Sequence, residues 1–533
     1  MRKGFKAAVC GLSLVASVAV CDAADVNSAK QDTSNSQKPN ILFIVVDNEA
    51  ASTLGCYGNK DILTPNIDNM ANDGMLFRNS FATNGMCSPT RASILTGLMP
   101  SQHGVATALT DPPNNKFWPQ NWGAIDEFRN MPQTLADAGY DTALIGKFHL
   151  GSPLEPKLKF KYWVTFPNGV TSTWFDNEII DNGKTYVELG NIVNFWTNKA
   201  VDYIKHHDRS KPFFLYLAYN GPYGLPPVIL KPAGNDFIRL YAGNDMSSMP
   251  REPVNRDLLS GLVYLERHAM DNPFYQWAGQ YFQDLIWSVN NLEIMQNYAA
   301  QISFVDYNVG KVLQALKESG MDDNTLVIYT ADQGLAYSQK GFWGQSNNSD
   351  PANLYDSTVK VPLIMRHTKH ISPMQRTDMM ISEYDIFPTI LDYAGLGNIK
   401  IANTPGKSFA PLLRDETLSW DNHDAIFMEQ EATRAIRTQD WKYVKFFDIP
   451  REELYNLLTD PGEKVNLAAD PKYAQIKKNL NQRLDDFFHR YADPKYDLWQ
   501  GGTVKSNSDV PDKWKAKNPN WTPVTKLVKP FSG

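Results

Sequence analysis

The run Ile41-Leu42-Phe43-Ile44-Val45-Val46 constrains the fold more than any other stretch of the chain. It is apolar at every position, so it has no face for water. A strand of that kind is buried on both sides, as in the middle of a parallel sheet with helices over each face. Further apolar runs at 212–218 and 324–329 follow helix-patterned segments at 191–206 and 299–319. A shorter run at 141–145 follows a helical pattern at 131–140 that stops at Gly139. The expected fold class is therefore α/β, with a large mixed sheet sandwiched by helices. From about residue 420 the character changes. Segments 425–429, 433–437, 441–446 and 453–457 have the spacing of an antiparallel sheet, and a helix is expected over 471–491. They predict a smaller C-terminal subdomain.

Polar residues follow the buried run at once. Asp47 and Asn48 stand at its carboxyl end, where α/β sheets place their sites. A carboxylate beside an amide suits a hard divalent cation, and it equally suits an Asx turn that ends a strand. The stretch Cys87-Ser88-Pro89-Thr90-Arg91 is more specific. Pro89 favours a helix start, which puts Cys87 beside free backbone N–H groups and the positive end of the dipole. Arg91, one turn on, can grip a tetrahedral oxyanion. These residues read as a nucleophile beside an anion hole, or as a structural cysteine, alone or in a disulfide with Cys56. In Gly146-Lys147-Phe148-His149, Lys147 and His149 alternate and are expected to share a face, one to stabilise charge and one to move a proton.

The run from Cys87 to Gly97 resembles the signature of type I sulfatases, in the alkaline phosphatase-like superfamily, and the resemblance extends from about Pro39 to about Leu467. It implies that Cys87 is oxidised to Cα-formylglycine by a formylglycine-generating enzyme. It also implies one Ca²⁺ held by Asp47, Asn48, Asp332 and Gln333. Cys87, Arg91, Lys147 and His149 become the catalytic set, and the reaction becomes hydrolysis of a sulfate ester on a sulfated small molecule or polysaccharide. The chain departs from the family pattern at several places. Asn48 stands for a second aspartate, Phe148 for Trp, and Gln333 for Asn or His. Tyr223 stands where sulfatases usually carry a substrate-contacting His, and Gln345 where a lysine normally binds sulfate. Lys340 is the nearby candidate to replace that lysine. His103 matches a family phrase and equally suits a structural loop histidine. The other readings are a phosphonate or phosphodiester hydrolase of the same superfamily, and a non-catalytic binder of sulfated glycans.

The rest of the chain sets the compartment. A basic start, an apolar run at 7–20 and small residues at 21–24 read as a secretory signal peptide over 1–24; a lipoprotein start at Cys21 is the weaker reading. Residues 25–38 are polar and lack core residues, so they are expected to form a flexible linker. The catalytic domain is expected over 39–415 and the C-terminal subdomain over 416–533. The protein is expected to be secreted or periplasmic, with no membrane span. Of four cysteines only Cys56 and Cys87 lie beyond the signal segment, so no disulfide framework is expected. A net charge of −6 gives no support for a nucleic-acid partner.

Overall fold

The structure is a computed structural model that describes residues 38–109, 121–167, 169–259, 273–418, 424–447 and 449–505. The expected signal peptide, the linker up to residue 37 and the tail beyond residue 505 lie outside the described residues. The apolar run forms β1 (Asn40–Val46), buried at every position. It is central in a ten-stranded mixed sheet with β2 (Met75–Phe81), β3 (Asp141–Gly146), β4 (Tyr162–Thr165), β5 (Asn177–Asp181), β6 (Lys184–Glu188), β7 (Phe213–Ala218), β8 (Thr325–Ala331), β11 (Lys360–Arg366) and β12 (Gln375–Ser382). The two short strands β9 (Ala336–Tyr337) and β10 (Trp343–Gly344) pair with each other outside it. The order across the large sheet is β12-β2-β11-β8-β1-β7-β3-β4-β5-β6. β1 pairs in parallel with β7 and β8, and β7 in parallel with β3. Strands β1, β3, β7 and β8 therefore end at the same edge.

Alternation along β1 divides the interior in two. Leu42, Ile44 and Val46 join a core with the helices Ile192–His206 and Leu292–Glu318. Ile41, Phe43 and Val45 join another with Cys87–Thr96, Met131–Asp137 and Ile386–Tyr393. The period-two rule that puts neighbouring side chains on opposite faces explains how one strand serves both cores.

The structure shifts one element of the sequence reading and adds two to it. The long helix begins at Leu292 rather than at 299, because the Asn291 side chain accepts from the Glu293 and Ile294 N–H groups and caps it there. The helix Pro273–Ser288 precedes it in the chain. The β5–β6 hairpin turns at Asn182-Gly183, both with positive φ, the backbone a tight hairpin requires.

The C-terminal sheet is an antiparallel meander of β13 (Ala425–Gln430), β14 (Thr433–Thr438), β15 (Trp441–Phe446) and β16 (Glu452–Asn456). The helix Ala474–Tyr491 packs Leu480, Leu484 and Phe488 against Ile436, Tyr443 and Leu454. A buried charge cluster ties this sheet to the larger one. The Lys442 ammonium, fully buried, lies 2.7 Å from both Asp356 and Glu463, and Arg437 lies 3.3 Å from Asp356. Burial opposes the Asp356 charge, but Lys442 and Arg437 outweigh it and hold its pKa well below the usual range. For Glu463 burial dominates and the pKa is raised. Removing one partner of such a cluster strands a buried charge. Lys442→Met is expected to lower unfolding stability by about 3–5 kcal/mol, read from urea denaturation at neutral pH.

Candidate active site

The site forms where β1, β3, β7 and β8 end. Asp47 follows β1 and Asp332 follows β8, and the Asp332 N–H donates to the Val46 carbonyl, so strand pairing itself brings the two carboxylates together. The helix Cys87–Thr96 starts at Cys87 and aims Arg91 at the same point. One oxygen each of Asp47 and Asp332 and the Cys87 Sγ lie within 4.8 Å of one another, all buried. Lys147 Nζ sits 2.5 Å from Asp47, and Arg91 Nη2 sits 2.8 Å from Asp332. The Arg91 Nη1 also donates to the Lys147 carbonyl at 3.1 Å. The four charges cancel. Burial works against the Lys147 charge, but the neighbouring groups, Asp47 foremost, together outweigh it and the pKa is raised. Burial, then the neighbouring Asp47, pushes the Asp332 carboxyl up against the pull of Arg91.

The thiol is not a nucleophile in this setting. Cys87 is 5% exposed, and burial and the Asp47 charge push its pKa up to about 12, far from the thiolate form at neutral pH. Sγ–H donates to Asp47 at 3.5 Å, and the amides of Gln333 and Gln345 donate to Sγ at 3.3 and 3.6 Å. Both Cys56 and Cys87 are free, so the disulfide reading is set aside.

His149 reaches the site by another route than the sequence suggests. β3 stops at Gly146, and Lys147 and His149 lie on the following loop, with His149 at φ +56°. Backbone turning rather than strand alternation makes them converge. The His149 Nε2 is 2.6 Å from the Leu109 carbonyl. A carbonyl can only accept, so Nε2 carries the proton and Nδ1 bears the lone pair. That Nδ1 is buried and makes no hydrogen bond. Burial, then the Lys147 and Arg91 charges, holds the imidazole pKa well below its usual value, so the ring is neutral. A Cβ on Gly169 would lie 2.1 Å from Nε2, so only glycine leaves room for the ring in this position.

The remaining candidates divide. Tyr223 is buried, with its ring 5.7 Å from Lys147 Nζ, and burial raises its pKa well above 10, so it offers a neutral hydroxyl. Lys340 is not brought here. Its ammonium donates to the Glu463 carbonyl and lies over the Tyr355 ring at 4.1 Å. Positive φ at Ser338, Lys340 and Gly341 turns the chain away from the Cys87 cluster. His103 is buried, with Nδ1 accepting from Val105 N–H and Nε2 3.1 Å from Ser93 Oγ, a structural role. The sequence reading misses Tyr298, whose hydroxyl donates to the Asn48 carbonyl. It also misses Glu383, fully buried near Arg91 and Asp332, its pKa raised well above the ordinary value by burial.

The donor set suits a hard cation. Asn48 Oδ1 and Gln333 Oε1 are buried and make no hydrogen bond, beside two carboxylates. Unpaired oxygens in a buried site need a partner. An oxygen-rich set with two amides fits Ca²⁺ better than Zn²⁺, which prefers His and Cys. In this arrangement the Gln333 nitrogen faces Asp47 at 3.4 Å, and a half-turn of the amide brings the oxygen there instead.

The fold and the paired charges around a buried cysteine define the class, and the comparisons agree. The sulfatase family model matches residues 39–396, and the model for the C-terminal region of N-sulphoglucosamine sulphohydrolase matches 344–490. The chain belongs to the sulfatase family, and it is a sulfuric ester hydrolase with a mixed sheet flanked by helices and a small C-terminal antiparallel sheet. It is 27% identical to an N-acetylglucosamine-6-O-sulfatase of Bacteroides thetaiotaomicron, over 88% of each chain. A protein solved in complex with its substrate D-glucosamine-2-N,6-O-disulfate aligns with a TM-score of 0.67 at 25% identity, over 85% of this chain and 98% of that one. The phosphonate monoester hydrolase of Agrobacterium radiobacter shares the fold at 22% identity, with a TM-score of 0.62 over 86% of this chain and 96% of that one.

The amide at position 48 generates a test. Asn48 has φ +62°, a conformation Asp also tolerates, so Asn48→Asp adds a carboxylate without new strain. The variant is expected to bind Ca²⁺ roughly tenfold more tightly than the parent in isothermal titration, because ligand charge tunes affinity.

Proposed function

We propose that this protein hydrolyses a sulfate ester on a carbohydrate, with Cys87 converted to formylglycine and one Ca²⁺ held by Asp47, Asn48, Asp332 and Gln333. The observation that carries this is the convergence of Cys87, Asp47 and Asp332 within 4.8 Å, flanked by Lys147 and Arg91, in a chain of the sulfatase family. Two of the relatives named above, the N-acetylglucosamine-6-O-sulfatase and the protein solved with D-glucosamine-2-N,6-O-disulfate, act on amino sugars, which supports the carbohydrate part of the reading.

When present, the formylglycine hydrate supplies the attacking oxygen and the cation polarises the sulfate oxygens. The protein residues do the rest. Lys147 and Arg91 balance the two carboxylates, so adding a dication makes the site net positive and ready for an anionic ester. Arg91, fixed by Asp332 and the Lys147 carbonyl, orients the Cys87 position. His149 Nδ1, the deprotonated ring nitrogen, is the base that takes a proton when sulfate leaves. Tyr223 and Gln345 donate neutral hydrogen bonds on the leaving-group side. Residues 39–415 are read as the catalytic domain and 416–533 as the C-terminal subdomain. No helix among the described residues is long and apolar enough to cross a membrane. The basic and apolar start of the chain supports export to the periplasm or beyond, after maturation by a formylglycine-generating enzyme.

Two experiments test this. Peptide mass spectrometry of protein from its native host, with a carbonyl-reactive probe, is expected to find the aldehyde at position 87. Cys87→Ala is expected to lower turnover of sulfated sugars at least about a thousandfold with the fold unchanged. Unmodified Cys87 throughout fully active protein would sink the mechanism.

The neutral residues at 223 and 345 give a second expectation. Losing a charged contact to an anion generally costs about 1.5–3 kcal/mol, against about 1 for a neutral hydrogen bond. Without a strong acid at the leaving group, rate depends on leaving-group quality. Tyr223→His with Gln345→Lys is expected to raise kcat/KM on sugar sulfates by roughly tenfold more than on activated aryl sulfates. An equal effect on both classes would assign these side chains another role.

A further inference from the structure

Away from the Cys87 centre the structure holds a cavity of about 340 Å³, within the range of about 300–1,000 Å³ typical of small-molecule sites. The helix Asp356–Val359 connects the two. Asp356 and Ser357 line the cavity, while Thr358 accepts the Gly334 N–H through its carbonyl and the Ser346 hydroxyl through its side chain. Gly334 and Ser346 directly follow the two glutamines that touch Cys87.

The charges in this cavity do not balance. Lys340, Lys360 and Arg437 line it, and Lys442 lies behind them. Against these four cations stand Asp356, Glu463 and the more distant Asp460, while Glu252, Glu453 and Asp378 are taken by Lys464, Arg451 and Arg78. Lys442 and Arg437 occupy Asp356 and Glu463. Lys360 makes its direct contacts with neutral groups, the Asn79 side-chain oxygen at 3.1 Å and the Phe81 ring, and shares the charge of Asp356 with Lys442 and Arg437. Lys340 likewise rests on a backbone carbonyl and a tyrosine ring. Arg437 is 6% exposed, and its buried Nε makes no hydrogen bond. Burial pulls the pKa of Lys340 and Lys360 below the usual lysine value, the direction an incoming anion reverses.

We propose that this cavity is a second anion site that takes a sulfate group through Lys340, Lys360 and Arg437. A tetrahedral oxyanion accepts from several cations at once, and an arginine on the cavity wall and two under-neutralised lysines supply them. The sulfate group can be the inorganic ion or an ester on another sugar of a glycan, and only the second source rests on the carbohydrate reading above. Lys340, which the sequence suggests as a contact for the scissile sulfate, serves this cavity instead.

Selenate, located by its anomalous scattering in soaked crystals of the full chain, is the probe. It is expected in the cavity with oxygens about 3 Å from Lys360 and Arg437. Lys360→Gln is expected to empty the cavity at the same concentration, and Lys360→Arg to refill it, each with an unchanged circular dichroism spectrum. Kinetics then identify the source. A roughly tenfold rise in KM for a sulfated oligosaccharide in Lys360→Gln, with KM for a small aryl sulfate unchanged, assigns a glycan-borne sulfate. Unchanged KM for both, with weaker inhibition by inorganic sulfate, assigns the free ion. A cavity without selenate in the parent protein, or equally filled in Lys360→Gln, overturns the proposal. Selenate in the cavity of a protein that cleaves no sulfate ester would overturn the proposed function and leave this site standing.

Discussion

Two carboxylates fully shielded from water, Asp47 and Asp332, are the constraint around which the molecule is built. Moving an ion out of water is expensive, and two like charges in one cluster add repulsion. Lys147 and Arg91 make the arrangement tolerable, each at direct contact with one carboxylate. That pairing also dictates where the backbone must go. β1 and β8 have to be neighbours in parallel register, β3 has to end level with them, and the Cys87–Thr96 helix has to start over their ends. The order of strands in the large sheet satisfies all of these at once.

A second layer then holds the charged groups in place without adding charge. Tyr298 donates to the Asn48 carbonyl, the Leu109 carbonyl fixes the His149 tautomer, and the absent side chain of Gly169 leaves the imidazole its space. Each is a backbone or phenol contact from an element remote in sequence. Groups of this kind set direction and protonation state, which matters more for a preorganised centre than extra binding strength.

The legible parts and the hidden parts separate along that same line. β1 and the residues after it could be read because a strand buried on both faces has one pattern, and because Asp47, Cys87, Arg91 and Lys147 sit in short, directional motifs. Gln345 could be read from a phrase of neighbouring residues. Lys340 could not, because three positive-φ residues reverse the chain within that phrase, and proximity in sequence stops being proximity in space. Tyr298 is hidden because a helix read from residue 299 excludes it, although Asn291 was a usable cap signal. The Asn182-Gly183 turn was equally readable from composition. Leu109 and Gly169 act through a carbonyl and through the lack of a side chain, and neither leaves a mark in residue type.

The depth of Cys87 governs when another macromolecule can reach it. At 5% exposure, with Sγ enclosed by Asp47, Gln333 and Gln345, the thiol presents nothing that another macromolecule's catalytic groups could close upon. Reaching it in the finished protein means first pulling Asp332 and Gln333 away from the helix start, and these are anchored by parallel pairing to the most buried strand. Under the proposed function, enzymatic oxidation at this position belongs to the interval before the strands close, while residues 87–91 are still an extended peptide. On that reading a chain that folds first keeps its sulfur, because the packing that shields the centre from water also shields the thiol from a second protein.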